Sequence, residues 1–499
     1  MNDVRAREVV VVGGGITGLA AAHRVLEIAA ARGEGVRLTV LEAGARPGGT
    51  IASERTEGFL FETGADSIIT EKPWGLDLCR RLGVMDRLIG TREGDRRTFV
   101  VLNGRLHPLP EGFLLLAPMR VWPVVTSSLF SLRGKLRMAC DLVLPRGGNP
   151  GGDESLASFV TRRLGREVLE RVAQPLVGGI YTADAERLSL AATMPRFLEM
   201  ERRHRSLIRA VRCRPSGGTG GAGTGGTNSG DGSDGASDSG ARWSLFVSFA
   251  EGMQTLVDAL AKRLPEGSLH LGARVVAVAP DAAAGWHIML DGGDRVAASS
   301  VVLATPAFVA ADLLRPADAA LASALDGIHY ASSATVSLAY SRADIPHPLD
   351  GFGFVVPAVE RRSLIACSFS SVKYEGRAPE GSVLLRVFCG GALSEFMVAR
   401  SGEELIAEAR RELRELLGVT APPRMSRVHR HLRAMPQYHV GHLERVGEIE
   451  ARVARRPGLA LAGNAYRGVG VPDCIHSGER AAEGLLEGGA EASPGERCA

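Results

Sequence analysis

Three glycines and one carboxylate carry the first chemical signal of this chain. Gly13, Gly15 and Gly18 fit G-x-G-x-x-G, with Gly14, Ile16 and Thr17 completing the spacing. Val9 to Val12 before them form a short apolar run without polar alternation, which reads as a strand buried on both faces of a parallel sheet. Leu19 to Leu26 after them reads as a helix. In that context the glycines provide a tight turn, room for a diphosphate against the backbone, and close helix–strand packing. The helix start adds unpaired N–H groups and a positive dipole end, which suit a diphosphate. A second strand, Val36 to Leu41, ends in Glu42, where a carboxylate can accept from both hydroxyls of a ribose and repel a 2′-phosphate.

The residues after Glu42 decide between dinucleotides. Ala43 to Thr50 holds Arg46-Pro-Gly-Gly49, which resembles the Arg-x-Gly-Gly signature of flavoproteins. FAD is therefore expected, with backbone brought close to its diphosphate and ring. Only one G-x-G-x-x-G stands between a strand and a helix, so no separate nicotinamide site is expected. No Ser/His/Asp or metal-ligating constellation accompanies it.

The elements that must position these residues come from a chain of 499 residues, long enough for two or three domains. Apolar residues make up 45% and charged residues 23%, the balance of a globular protein, and a net charge of +3 gives no case for nucleic acid. Seven cysteines without C-x-x-C form neither a disulfide framework nor a zinc site and fit a reducing cytoplasm. No signal peptide and no apolar stretch of membrane-spanning length is read.

The expected fold is α/β with α+β character overall. A discontinuous Rossmann-like FAD-binding domain takes residues 1–75, 243–310 and 455–490. Residues 85–212 form a mainly helical insertion, 215–241 a disordered Gly/Ser-rich linker, and 311–454 a mixed-sheet substrate domain. Thr98–Leu102 and Arg105–Leu109 pair through Asn103-Gly104, a type I′ hairpin signal. Residues 111–144, rich in Leu, Met and Val, read mainly as core, with a membrane-facing or substrate-entry surface as the alternative. Glu154–Leu169 and Glu186–Arg212 are helical by periodicity, while Pro175 to Asp184 is too glycine-rich for a helix interior. Helices are also expected over Glu403–Leu417 and Ser477–Leu486.

Taken together, these pieces resemble the flavin-dependent porphyrinogen oxidases of haem synthesis, within the amine oxidase and phytoene desaturase superfamily. The specific stretches are Phe61 to Ser67 (Phe-Glu-Thr-Gly-Ala-Asp-Ser), Leu106 to Pro110, Gly179 to Asp184 with Leu188 and Ser189, His204 to Leu207, and Gly463 to Ile475. The resemblance implies one non-covalent FAD against Gly13–Gly18, Glu42, Ala43, Arg46, Gly49, Thr50, Gly64, Ala65, Asp66 and Ser67. It adds Val275 at the adenine and Val469, Gly470 and Val471 under the flavin ring. It places the substrate near Gly179 and Tyr181, with Tyr330 and Phe354 as apolar walls.

The implied reaction removes six electrons from a porphyrinogen in three hydride transfers to FAD, with O2 as acceptor and H2O2 as product; no catalytic side chain is required. Protoporphyrinogen-type members usually carry an arginine where this chain has Thr98, a bidentate anchor for a propionate. Asp66 and Lys72 match the bacterial coproporphyrinogen type, so coproporphyrinogen III is the expected substrate and protoporphyrinogen IX the alternative. The rivals are other flavin amine oxidases (Cys474 lies where some attach flavin), carotenoid desaturases, and Rab GDP-dissociation inhibitors, which share the fold without using flavin. Peripheral membrane contact and a homodimer stay open.

Overall fold

A computed structural model describes residues 6–92, 97–110, 113–114, 117–118, 121–147, 152–212 and 244–487; the linker expected at 215–241 lies outside them. The valine run becomes the strand Arg7–Val12, central in a five-stranded parallel sheet. Val36–Glu42 and Leu269–Leu271 lie on one side of it, Ser300–Leu303 and Leu459–Leu461 on the other. Helices Ile16–Arg32 and Val471–Glu487 cover one face. They pack so closely that a Cβ on Gly478 would sit 2.2 Å from the Thr17 carbonyl oxygen. The antiparallel strands Val275–Asp281, Gly285–Leu290 and Arg295–Ala298, with helices Ala307–Leu314 and Ala319–Asp326, cover the other face.

A seven-stranded mixed sheet forms the second layer. Its order runs Met425–Pro436, Tyr330–Ser341, Ser382–Gly390, Ala366–Ser368, Gly353–Val355, Thr98–Leu102, Arg105–Pro108. The last two strands fall within the expected helical insertion, yet they join this sheet because Thr98–Val100 pairs in parallel with Gly353–Val355. The turn between them has φ of 51° at Asn103 and 69° at Gly104, as a type I′ hairpin requires. Helix Gly402–Leu417, closed by a Ser401/Glu404 capping box, packs on the outer face over Val336, Leu338, Leu385 and Val387.

The helical segment departs from expectation in three places. Gln174–Tyr181 is a helix despite its glycines, running on from a π-helical turn at Leu169–Ala173. Each glycine costs about 1 kcal/mol in a helix, but burial of Val177 and Tyr181 outweighs it. Pro175 falls just after the π turn, where the irregular ladder tolerates its missing N–H. The expected long helices over 154–169 and 186–212 are broken instead, at Gly165 (φ 97°), Pro195 and Arg205 (φ 61°). Among the described residues of 111–144, part is core and part is exposed. Phe113, Val124, Leu129, Phe130 and Met138 are buried, whereas Trp122 (74%), Leu132 (79%), Leu136 (70%) and Val143 (77%) are exposed. Among the described residues no helix is long and apolar enough to cross a membrane.

Candidate active site

At the carboxyl end of the parallel sheet the turn after Val12 is fixed by sterics. Gly13 has φ +106°, and a Cβ there would come 2.6 Å from the Ala304 carbonyl oxygen; on Gly18 it would come 1.9 Å from that of Gly13. Gly15, by contrast, meets nothing nearer than Gly49 Cα at 4.0 Å, which leaves its surface open. It precedes helix Ile16–Arg32 without a side-chain cap, so the first amides face outward with the positive dipole end. Glu42 accepts from Gly14 N and Gly44 N, both at 2.6 Å, which holds its carboxylate at the strand end. Ala273 N donates to Glu42 O at 2.9 Å, which brings Val275 alongside.

Arg46 is exposed at this turn. Its guanidinium donates to the carbonyls of Pro47 (3.0 Å), Gly49 (2.8 Å) and Ile51 (2.8 Å), folding the Arg-x-Gly-Gly turn onto itself. Gly48 N then donates to Gly14 O at 2.8 Å, so the two glycine loops touch. Thr50 O lies against Gly64, where a Cβ would come within 2.1 Å. Ala43 is exposed beside Glu42.

Two further loops converge here. In the 63–67 loop, Arg386 donates to the Thr63 (3.0 Å) and Gly64 (2.7 Å) carbonyls and His431 Nε2 lies 2.9 Å from Thr63 O. The N–H groups of Gly64, Ala65 and Asp66 donate to nothing among the described residues. The Asp66 carboxylate accepts from Ser67 Oγ (2.7 Å) and Lys373 Nζ (3.3 Å). Burial alone would raise its pKa, but Lys373 and Arg386 hold it down at about 2. In the 463–471 loop, the Tyr438 hydroxyl donates to Asn464 O and accepts from Gly468 N (2.8 Å), and His442 Nε2 lies 2.8 Å from Tyr466 O. Val469 is half-buried; Gly470 N donates to Asp473 (3.1 Å), and Val471 opens the last helix.

The expected substrate residues separate. Gly179 and Tyr181 lie together, Gly179 facing Val355 Cγ1 at 3.7 Å from where its Cβ would be. Burial pushes the Tyr181 hydroxyl far above its usual pKa, so it stays protonated. Phe354 is a correction: at 1% exposure it lies on the opposite face of its strand, packed with Phe369 under helix Gly402–Leu417. Val355, one residue on, is the side chain that faces Gly179. Tyr330 packs edge-on to Phe308 (5.2 Å), and its hydroxyl accepts from Ala307 N at 2.8 Å. Lys72 is not free: its ammonium sits 2.7 Å from both carboxylate oxygens of Asp473. Pairing register puts Thr98 and Val100 on the same sheet face as Val355, Arg386 and Phe388.

Arg386, Lys373, Phe388, Val355, Tyr438 and His442 were missed from sequence. The visible signal was Arg386, a lone charge inside the otherwise apolar run Val383–Cys389. The open glycine surface, the outward amides of two loops and Glu42 fit FAD: Gly13–Gly18 would hold the diphosphate, Glu42 the ribose, and Gly64–Ser67 with Val469–Val471 the ring.

Fold and site together define an FAD-dependent oxidoreductase. The profile described as "Flavin containing amine oxidoreductase" matches residues 16–486, and the chain belongs to that family. It is 34% identical over 487 residues to the Coproporphyrinogen III oxidase of Bacillus subtilis (strain 168), covering 97% of this chain and 99% of the relative. With the Coproporphyrinogen III oxidase of Propionibacterium freudenreichii it shares 37% over 504 residues, covering 99% and 93%. A solved structure from Exiguobacterium sp. 255-15 superposes with a TM-score of 0.82 at 29% identity, covering 97% of this chain and all of that one.

Proposed function

We propose that this chain oxidises coproporphyrinogen III to coproporphyrin III in haem synthesis. Each of three turnovers removes a hydride and a proton from the substrate and passes the pair to O2, so one porphyrinogen and three O2 give one porphyrin and three H2O2. The observation that carries the reading is the sheet face that meets Gly179. Val355 and Phe388 share that face with Thr98, which stands in place of a cation, and the reading makes it, with the Gly179–Tyr181 segment, the apolar wall of a chamber for a flat macrocycle. Likeness to two relatives named for coproporphyrinogen III supports the substrate choice.

Bound FAD supplies the hydride acceptor. The chain's part is to hold the macrocycle over it and exclude water, which buried Tyr181 and Val355 serve. No general base is needed from Tyr181, and none is offered. Burial pushes the Cys474 thiol up to about 12, so it stays protonated and is a poor nucleophile, which supports FAD held without a covalent bond.

The test is porphyrin fluorescence with coproporphyrinogen III and protoporphyrinogen IX as separate substrates. Faster turnover of the tetrapropionate is expected. Faster turnover of protoporphyrinogen would transfer the enzyme to the alternative, and flavin binding with neither activity would refute the porphyrinogen reading.

A further inference from the structure

Behind the 63–67 loop lies a set of charges that the chemistry above does not use. Arg386 is 4% exposed and enters from the seven-stranded sheet. Its Nη2 binds the carbonyls of Thr63 and Gly64. Two other cations join it: Lys373, paired with Asp66, and Arg377, 2% exposed, which binds Phe249 O (3.1 Å) and Ser248 Oγ (2.7 Å). Facing these three are two carboxylates, Asp66 and Glu62, the latter held by Ser53 Oγ (2.7 Å) and Met253 N (2.9 Å). His429 and His431 stand on Met425–Pro436, one strand beyond Tyr330–Ser341, where burial and Arg386 push both below the usual histidine range.

Two geometric facts bear on the cofactor. Arg386 draws the loop carbonyls towards the sheet, and the amides of Gly64, Ala65 and Asp66 are left without partners among the described residues. Those amides are donors set out for an acceptor. The cations outnumber the carboxylates within the same buried cluster, where charge is poorly screened.

We infer that Arg386 is a positioning residue for FAD: its Nη2, bound to the Thr63 and Gly64 carbonyls, turns the 63–67 amides towards the flavin, and with Lys373 it supplies a fixed positive charge that favours the reduced cofactor. This rests on the reading that FAD lies against Gly64–Ser67. The two parts separate by variant. Arg386→Lys keeps the charge but ends one bond short of the guanidinium's reach, so its ammonium falls short of the two carbonyls that Nη2 holds at 3.0 and 2.7 Å, and Lys373→Met removes charge without touching them.

The experiment measures the FAD dissociation constant by flavin fluorescence and the midpoint potential by dye-coupled titration, with melting temperature as the fold control. For R386K, FAD binding weakens ~10-fold while the potential holds. For K373M, binding holds and the two-electron equilibrium shifts ~10-fold towards oxidised flavin, about 30 mV for a two-electron couple. R386Q shows both effects. Wild-type affinity in R386K together with an unmoved potential in K373M would overturn the inference while leaving flavin binding intact. Wild-type protein that holds no flavin would overturn the underlying reading as well.

Discussion

The two largest sheets of this molecule build their halves of the site from different materials. The parallel sheet presents backbone: Gly13, Gly15 and Gly18, joined by Gly64 of the 63–67 loop, stand where a side chain would collide or would fill the cradle, and the binding groups are amides and a helix end. The seven-stranded sheet presents side chains on alternating faces, so that Val355 meets Gly179 while adjacent Phe354 belongs to the outer core. A backbone site fails when a Cβ is added. A side-chain site is retuned by the same kind of change, provided the correct face is touched.

The largest expected effect breaks the backbone half. Gly18→Ala forces a carbon against the Gly13 carbonyl at 1.9 Å; we expect a loss of about 3–5 kcal/mol and flavin-free protein, seen by urea unfolding and visible absorbance. Gly15→Ala meets open space and should leave stability within about 1 kcal/mol while weakening FAD. Equal damage from the two would refute the distinction between cradle and clash.

The next pair tests the side-chain half. Phe354→Ala should cost about 3–5 kcal/mol as a buried cavity, with the KM of any folded enzyme unchanged. Val355→Ala should cost about 1–2 kcal/mol and raise KM, because its methyls face the Gly179–Tyr181 segment. A reversed KM pattern in steady-state assays would return Phe354 to the chamber.

Lys72→Met is of intermediate size. Its ion pair with Asp473 is mostly buried, at 16% and 11% side-chain exposure, so breaking it should cost about 2 kcal/mol in thermal unfolding. A KM rise for the tetrapropionate without any fall in melting temperature would show a substrate ligand instead.

A further effect is in pH. Burial, with Arg187 and His329 near, pushes His439 down to about 4, and burial pushes His442 to about 4 against its hydrogen bond to Tyr466 O. Both bind protons more weakly folded than unfolded. Their contribution is therefore complete above about pH 6.5 and is lost as pH falls towards 4. Urea midpoints should fall over that window, and less steeply in His442→Gln.

The dinucleotide half was legible because sterics dictate residue type there: only glycine suits Gly13, and Glu42 follows its strand by a fixed interval. The chamber was less so. Period-two alternation assigns Phe354 and Val355 to opposite faces, yet nothing local says which face meets the cofactor. The long-range partners of Lys72 and Asp66, namely Asp473 and Lys373, lie some hundreds of positions away in the chain. Gly178 and Gly179 misled because propensity yields to the burial of Tyr181.

The most direct measurement mixes the flavin-loaded protein with coproporphyrinogen III under anaerobic conditions and follows flavin absorbance and substrate oxidation together. Flavin colour should be lost as the substrate is oxidised, with one equivalent of FAD consumed per two electrons and colour restored by O2. Substrate oxidation with the flavin left fully oxidised would contradict hydride transfer to FAD.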